Sequence, residues 1–256
     1  MQKFDLITLG GGSGGIAGSR RAAEYGAKVA LIESTQLGGT CVLRGCVPKK
    51  LLVYAADFAA EFAGANGYGW QFGGAVPTHD WSHLIAEKNR EVNRLSDIYH
   101  DMLASSKVTL IHGRAEIIAA APDHAVQIRV GDEIYEAERV LIATGGQALK
   151  PNCPGGEWAL ISDDMLNLPA LPRQVAIIGG GYIAVEFASL LHGLGVEIEL
   201  ILRSDRLLSG FDHELGEKLR ESFLARGIKI HTHARLREIR RRDDASTTST
   251  TSTTST

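Results

Sequence analysis

The sequence is poor in cysteine, carries no excess of either charge and has no long apolar run. Three cysteines among 256 residues do not make the disulfide framework of a secreted protein. A close pair of thiols in such a chain is more often catalytic or metal-binding. The 27 Lys and Arg residues against 30 Asp and Glu leave a formal net charge of −3. That balance excludes a polybasic nucleic-acid or membrane module. With 44% hydrophobic and 22% charged residues, the chain is not a disordered one either. No apolar stretch approaches the roughly 18 residues that span a bilayer. Residues Met1 to Asp5 lead straight into an apolar strand pattern without a charged-then-apolar leader, so the expected location is cytoplasmic. What is abundant is glycine: 29 residues, against a usual share of roughly 7%. The glycines are clustered, which points to turns.

Length alone allows one or two domains. Residues 4–9 read as a buried strand, residues 13–25 as a helix opened by a glycine-rich turn, and residues 28–32 as a second strand closed by Glu33. Such a strand-turn-helix-strand unit is expected to be parallel. Helical periodicity returns at residues 50–63 and 81–104, and short strands follow from 108 to 142. Pro151, Pro154, Pro169 and Pro172 mark an expected boundary. The opening pattern then repeats: a strand at 175–178, a glycine turn, a helix at 182–194 and a strand at 197–202. The expected fold class is therefore α/β, with two Rossmann-like dinucleotide-binding units in three layers on parallel sheets. The expected domains are residues 1–150, residues 151–242 (incomplete) and a tail, 243–256. That tail ends in eleven residues of only Ser and Thr, with nothing apolar to anchor it, and is expected to be disordered. The basic residues Arg235, Arg237, Arg240, Arg241 and Arg242 have no interleaved aromatics and read as a solvated strand face, not a nucleic-acid site.

The first turn, Gly10-Gly11-Gly12-Ser13-Gly14-Gly15, fits G-x-G-x-x-G between a strand and a helix. Gly10 makes the tight turn, Gly12 lets a pyrophosphate approach the backbone, and Gly15 lets helix and strand pack closely. The phosphates would sit on unpaired amides at the positive end of the helix. Glu33 is placed to accept hydrogen bonds from a ribose diol. The second turn, Gly179-Gly180-Gly181-Tyr182-Ile183-Ala184, is the variant ending in alanine. Its following strand ends at Leu202-Arg203, where an NAD site would want an acid. A guanidinium there favours a 2′-phosphate, hence NADPH over NADH.

Cys41 and Cys46 lie five positions apart, too far along a regular helix for a relaxed disulfide. A bond between them needs a local distortion, for which Gly45 supplies the freedom, and a strained, accessible bond would be reducible. Arg44, Lys49 and Lys50 are expected to favour thiolate and lower the thiol pKa. Two structural cysteines, or half of a metal site, are the competing readings, although no second Cys/His pair completes a zinc site. His231 and His233 are expected on one strand face, without a third ligand. Cys153 stands alone.

The stretch from Gly38-Gly39-Thr40-Cys41 to Cys46-Val47-Pro48-Lys49-Lys50, together with both glycine turns, resembles the flavin-dependent disulfide reductases. Pro48-Lys49-Lys50, Ala17 and Arg20 are similar to the branch that reduces glutathione disulfide with NADPH. The resemblance implies an FAD site involving Gly10, Gly12, Ser13, Gly14, Gly15, Glu33, Gly39, Thr40, Lys49, Thr144 and Gly145. It implies an NADPH site with Gly179, Gly181, Tyr182, Ile183, Arg203 and Arg206, and a tyrosine, Tyr182, covering the flavin. By the same resemblance Cys41 attacks the substrate disulfide, Cys46 forms the charge-transfer thiolate, and Lys49 pairs with Glu186 near the flavin. Ser13, Arg20 and Tyr99 would contribute to the substrate pocket. The family's second arginine is replaced by Ser209. Its acid–base histidine belongs to a C-terminal interface domain of a homodimer, and no histidine here matches it. A flavin- and nucleotide-binding chain without turnover, or a related reductase with another substrate, are the alternatives.

Overall fold

The computed structural model describes residues 1–72, 77–121, 124–241 and 250–251. In chain order the elements are β1 (Gln2–Leu9), α1 (Ser13–Glu24), β2 (Val29–Glu33), α2 (Gly39–Arg44), α3 (Cys46–Gly64), α4 (Trp81–Ser105), β3 (Thr109–His112), β4 (Ala115–Ala121), β5 (His124–Val130) and β6 (Glu133–Ile142). There follow α5 (Ser162–Met165), β7 (Gln174–Ile178), α6 (Tyr182–Gly193), β8 (Glu197–Ile201), α7 (His213–Ala225), β9 (Lys229–His231), β10 (Ile239–Arg240) and β11 (Thr250–Thr251). They form two compact units: residues 1–49 with 86–147, and residues 50–85 with those from 148 onward. The expected cut at residue 150 treats residues 50–85 as part of the first domain, whereas here they cluster with the second unit. The cause is apolar: Leu52, Ala56 and Trp81 are buried in one core with Leu190, Leu191, Leu200 and Phe223.

The first unit holds a six-stranded sheet in the order β3-β2-β1-β6-β5-β4. β3, β2, β1 and β6 are parallel, as β-α-β crossovers demand. β6, β5 and β4 form an antiparallel meander; β5 returns into β6 through Gly131-Asp132, with Gly131 at φ +59°. Ile7, Leu31 and Ile32 are almost wholly buried, on strands that read as continuous apolar runs because both faces are covered. The buried Ser19 hydroxyl donates to Thr8 Oγ1 at 2.8 Å, fastening α1 to β1.

The second unit holds a three-stranded parallel sheet, β7-β8-β9. Of the Ser/Thr tail only Thr250–Thr251 is described, paired antiparallel with Ile239–Arg240; the rest of the tail lies outside the described residues. Among the described residues no helix is long and apolar enough to cross a membrane.

Candidate active site

In the first unit, the parallel register Leu9↔Ile32 and Leu9↔Ile142 brings the C-terminal ends of β1, β2 and β6 to one edge of the sheet. The Gly10 amide donates to the Ile32 carbonyl at 2.8 Å and the Ala143 amide to the Leu9 carbonyl at 2.9 Å. Thr144 and Gly145 therefore follow directly beside the glycine turn. The N-terminus of α1 is capped by Gly12 alone, with no side-chain hydrogen bond and no acid in its first turn. Its amides are available to an anion. A Cβ on Gly15 would run into the Gly10 carbonyl oxygen, and one on Gly39 would come within 2.5 Å of the Gly12 Cα. Gly39 also sits at φ +59°, where a side chain is strained. The turn is thus packed backbone to backbone at Gly15 and Gly39, with no room for side chains there, while a Cβ on Gly14 would meet nothing within 4 Å.

Glu33 closes the turn. Its carboxylate accepts from the Gly11 amide at 2.7 Å, the Thr35 amide at 2.8 Å and the Thr35 hydroxyl at 2.9 Å. Burial pushes its pKa up, but the bonds from Gly11, Thr35 and Ser34 together outweigh burial and leave it below the ordinary carboxylate value. Oε1 already accepts both Thr35 bonds, so the remaining acceptor capacity lies on Oε2, enough for one hydroxyl of a ribose.

The Gly38 amide donates to the Gly11 carbonyl at 2.9 Å, tying the thiol-bearing segment to the turn. α2 starts at Gly39 and stops at Arg44. Gly45, at φ −147° and ψ −111°, breaks the path before α3 begins at Cys46. A Cβ at Gly45 would approach the Thr40 carbonyl to 2.8 Å. This distortion is the one the cysteine spacing calls for. Cys41 and Cys46 are free thiols, half-buried and exposed respectively, and are in hydrogen-bond contact.

Their electrostatics correct the sequence reading. Burial raises the Cys41 pKa above its ordinary value, and a hydrogen bond to Cys46 and repulsion from its charge raise it further. An amide bond from Cys46 opposes these only in part. The expected lowering by Arg44, Lys49 and Lys50 does not prevail at Cys41. Arg44 is solvent-exposed and screened, and the Lys50 ammonium lies over the Tyr54 ring, 5.2 Å from its centre.

In the second unit, α6 opens on Gly181 with no side-chain cap and no acid in its first turn. Gly179 to Gly181 line a cleft of about 470 Å³ with Leu202, Arg203 and Arg206. Leu202 is buried, so the strand end presents no carboxylate. Tyr182 and Ile183 are largely exposed at the helix start.

The family pattern of the pyridine nucleotide-disulphide oxidoreductases matches residues 4–256. The chain belongs to the pyridine nucleotide-disulphide oxidoreductases. It is 45% identical over 227 residues to a glutathione reductase of Nostoc sp., covering 89% of this chain and 48% of that protein. It is 44% identical over 239 residues to the chloroplastic/mitochondrial glutathione reductase of Pisum sativum, covering 90% and 42%. To a glutathione reductase of Burkholderia cepacia it is 43% identical over 232 residues, covering 90% and 50%. The chain spans about half the length of the curated relatives it matches.

For a chain of this oxidoreductase family, the remaining expected site residues fall as follows. Ser13 is exposed at the first position of α1, and Arg20 lies seven residues on along the same helix, its Nε donating to Ser106 Oγ at 3.1 Å. Tyr99 is packed against the cluster that contains Ile16 and Leu103, so part of its ring is spent on the core. Lys49, half-buried in the first turn of α3, belongs to the first unit; Glu186, half-buried in α6, belongs to the second. His233 lies beyond β9 at φ +54°, so it does not share a strand face with His231, which contacts Glu199 at 3.1 Å. Arg235, expected on a solvated strand, lines the second-unit cleft; among the described residues of that basic run only Ile239–Arg240 is strand, and Arg242 lies outside the described residues.

The thiol pair yields a pH prediction. With Cys46→Ala, Cys41 loses the hydrogen bond and the repulsion that raise it, while burial remains. The midpoint of its alkylation rate against pH is expected to move down. An unchanged or higher midpoint contradicts the coupling.

Proposed function

We propose that the chain is the flavin- and nucleotide-binding portion of an NADPH-dependent reductase of glutathione disulfide, working in the cytoplasm. The observation that carries this is the pair Cys41 and Cys46 at the break between α2 and α3, on a segment bonded through Gly38 to the dinucleotide turn. The names of the relatives, all glutathione reductases, support the substrate. Gly10, Gly12, Ser13, Gly14 and Gly15 would hold the FAD pyrophosphate and Glu33 its ribose, with Gly39, Thr40, Thr144 and Gly145 on the same edge; Lys49 would flank the flavin. Gly179, Gly181, Tyr182 and Ile183 would seat the nicotinamide nucleotide, and Arg203 and Arg206 its 2′-phosphate. The side-chain-free turn and the uncapped, acid-free start of α1 support the first of these assignments. FAD, when bound, accepts hydride from NADPH and passes an electron pair to the disulfide.

The chain's own sulfurs then do the exchange. The Cys41 thiolate attacks one sulfur of glutathione disulfide, forming a Cys41–glutathione bond and releasing one glutathione thiolate. The Cys46 thiolate attacks the Cys41 sulfur, closing the Cys41–Cys46 disulfide and releasing the second. Burial of Cys41, which raises its pKa and disfavours the nucleophilic thiolate, favours a second reading, cofactor binding without turnover.

Oxidised, FAD-loaded chain is expected to gain thiols reactive to a chromogenic disulfide at Cys41 and Cys46 when NADPH is added without oxygen, and far fewer with NADH. Bound flavin with no gain in thiols would leave the second reading standing.

A further inference from the structure

We infer that Arg235 determines nucleotide specificity in the second unit by binding the 2′-phosphate of the adenosine ribose together with Arg203 and Arg206. The inference rests on the reading of that cleft as the nicotinamide-nucleotide site and adds a residue that no sequence motif marks.

The backbone delivers Arg235 to the cleft. At the end of β8 the Leu202 amide donates to the His231 carbonyl at 2.7 Å. His233 then turns the chain at φ +54°, its amide donates to the Ser204 carbonyl at 3.3 Å, and the Ala234 amide donates to the Leu202 carbonyl at 2.9 Å. Ala234 is buried. The segment after β9 is thereby stapled along residues 202–204, and the next side chain, Arg235, lines the same cleft as Arg203 and Arg206.

The charge of that cleft is one-sided. Among the described residues its lining holds three arginines and no carboxylate. The three differ in availability. Arg206 is half-buried and its Nη2 donates to the Ser209 carbonyl at 2.9 Å, which takes up part of its fork. Arg203 and Arg235 are exposed. Elsewhere in the basic run Arg240 pairs with Glu238 at 2.7 Å, whereas Arg235 forms no ion pair among the described residues. Ser209 lines the same space and is small and neutral, so the charge of the cleft comes from its three arginines. A phosphomonoester carries close to two charges and three acceptor oxygens near neutral pH. It is matched by guanidinium forks from more than one side and gains little from a diol-binding acid.

The test is calorimetric titration of the 256-residue chain with adenosine 2′,5′-bisphosphate and, separately, adenosine 5′-monophosphate. The unaltered chain is expected to prefer the bisphosphate. Arg235→Gln is expected to weaken the bisphosphate about tenfold, the loss typical of one charge-assisted hydrogen bond, and to leave the monophosphate unchanged. Arg235→Lys, which keeps the charge but not the fork, is expected to fall between. Retained preference in Arg235→Gln, with preference lost in Arg203→Gln, overturns the role of Arg235 and leaves the site's reading intact. Equal loss of both ligands in Arg235→Gln also overturns it, by assigning the residue to the shape of the cleft. Equal binding of both ligands by the unaltered chain removes the NADPH reading itself.

Discussion

Gly15→Val is expected to abolish the proposed flavin binding and to lower the melting temperature of the first unit. A Cβ at this position runs into the Gly10 carbonyl oxygen and reaches 3.2 Å from Thr8 Cγ2. Neither contact can yield as a flexible side chain would. Gly10 is fixed by the hydrogen bond that its amide donates to the Ile32 carbonyl, and Thr8 is buried and accepts a hydrogen bond from Ser19. α1 must therefore lift off β1. Overpacking of this kind costs about 1–3 kcal/mol, and for a unit of this size that is a fall of roughly 4–20 °C. The same displacement moves the N-terminal amides of α1 away from the turn they complete, so the anion seat is lost with the packing. Gly14→Ala is the control. Nothing lies within 4 Å of a Cβ there, and replacing a helical glycine with alanine gains up to about 1 kcal/mol. Gly14→Ala should melt no lower than the unaltered chain. A Gly15→Val chain that keeps its melting temperature and its flavin would mean that close packing of helix on strand is not what the third glycine provides.

That contrast also marks how far residues alone disclose structure. Gly10, Gly12 and Gly15 between an apolar strand and a helix announce a strand-turn-helix, and the structure places Gly10 and Gly12 between β1 and α1 and Gly15 in the first turn of α1. The break at Gly45 is legible for a similar reason, since a bond between thiols five apart needs one. The expected elements do not include α7, although the sequence carries a signal for it. Asp212 caps it through Oδ1 to the Glu214 amide at 2.9 Å, and Leu215, Leu219 and Phe223 repeat at helical spacing. The polar residues between them hide that stripe. The grouping of residues 50–85 with the second unit depends on which core their apolar faces meet, a tertiary matter that periodicity does not encode. Arg235 was out of reach for the same reason: its position is set by backbone bonds to residues far back in the chain. The cations beside Cys41 misled because charge can be counted in a sequence and burial cannot. At Cys41 burial is the larger influence.

The order in which the thiols act separates exposure from resemblance, and Cys41→Ser decides it. Cys46 is the exposed thiol and Cys41 the half-buried one, so accessibility alone would assign first attack to Cys46. The family likeness assigns it to Cys41. Raising of the Cys41 pKa slows its attack near neutral pH, because only the thiolate is nucleophilic. A less acidic thiol is nonetheless the stronger nucleophile once ionised, which offsets part of the loss. If Cys41 attacks first, Cys41→Ser has no sulfur to form the mixed disulfide, and reduction of glutathione disulfide should fall by roughly 10³-fold or more, as for loss of a catalytic nucleophile. Reduced Cys46→Ser should still attack and then stall, because no second thiolate is present to release the bound glutathione. Mass spectrometry of the two reduced variants after exposure to glutathione disulfide should find one glutathionyl group retained on Cys41 in Cys46→Ser and little adduct on Cys46 in Cys41→Ser. The reverse pattern would assign attack to Cys46 and make Cys41, next to Gly39 and the glycine turn, the thiol that exchanges electrons with the flavin.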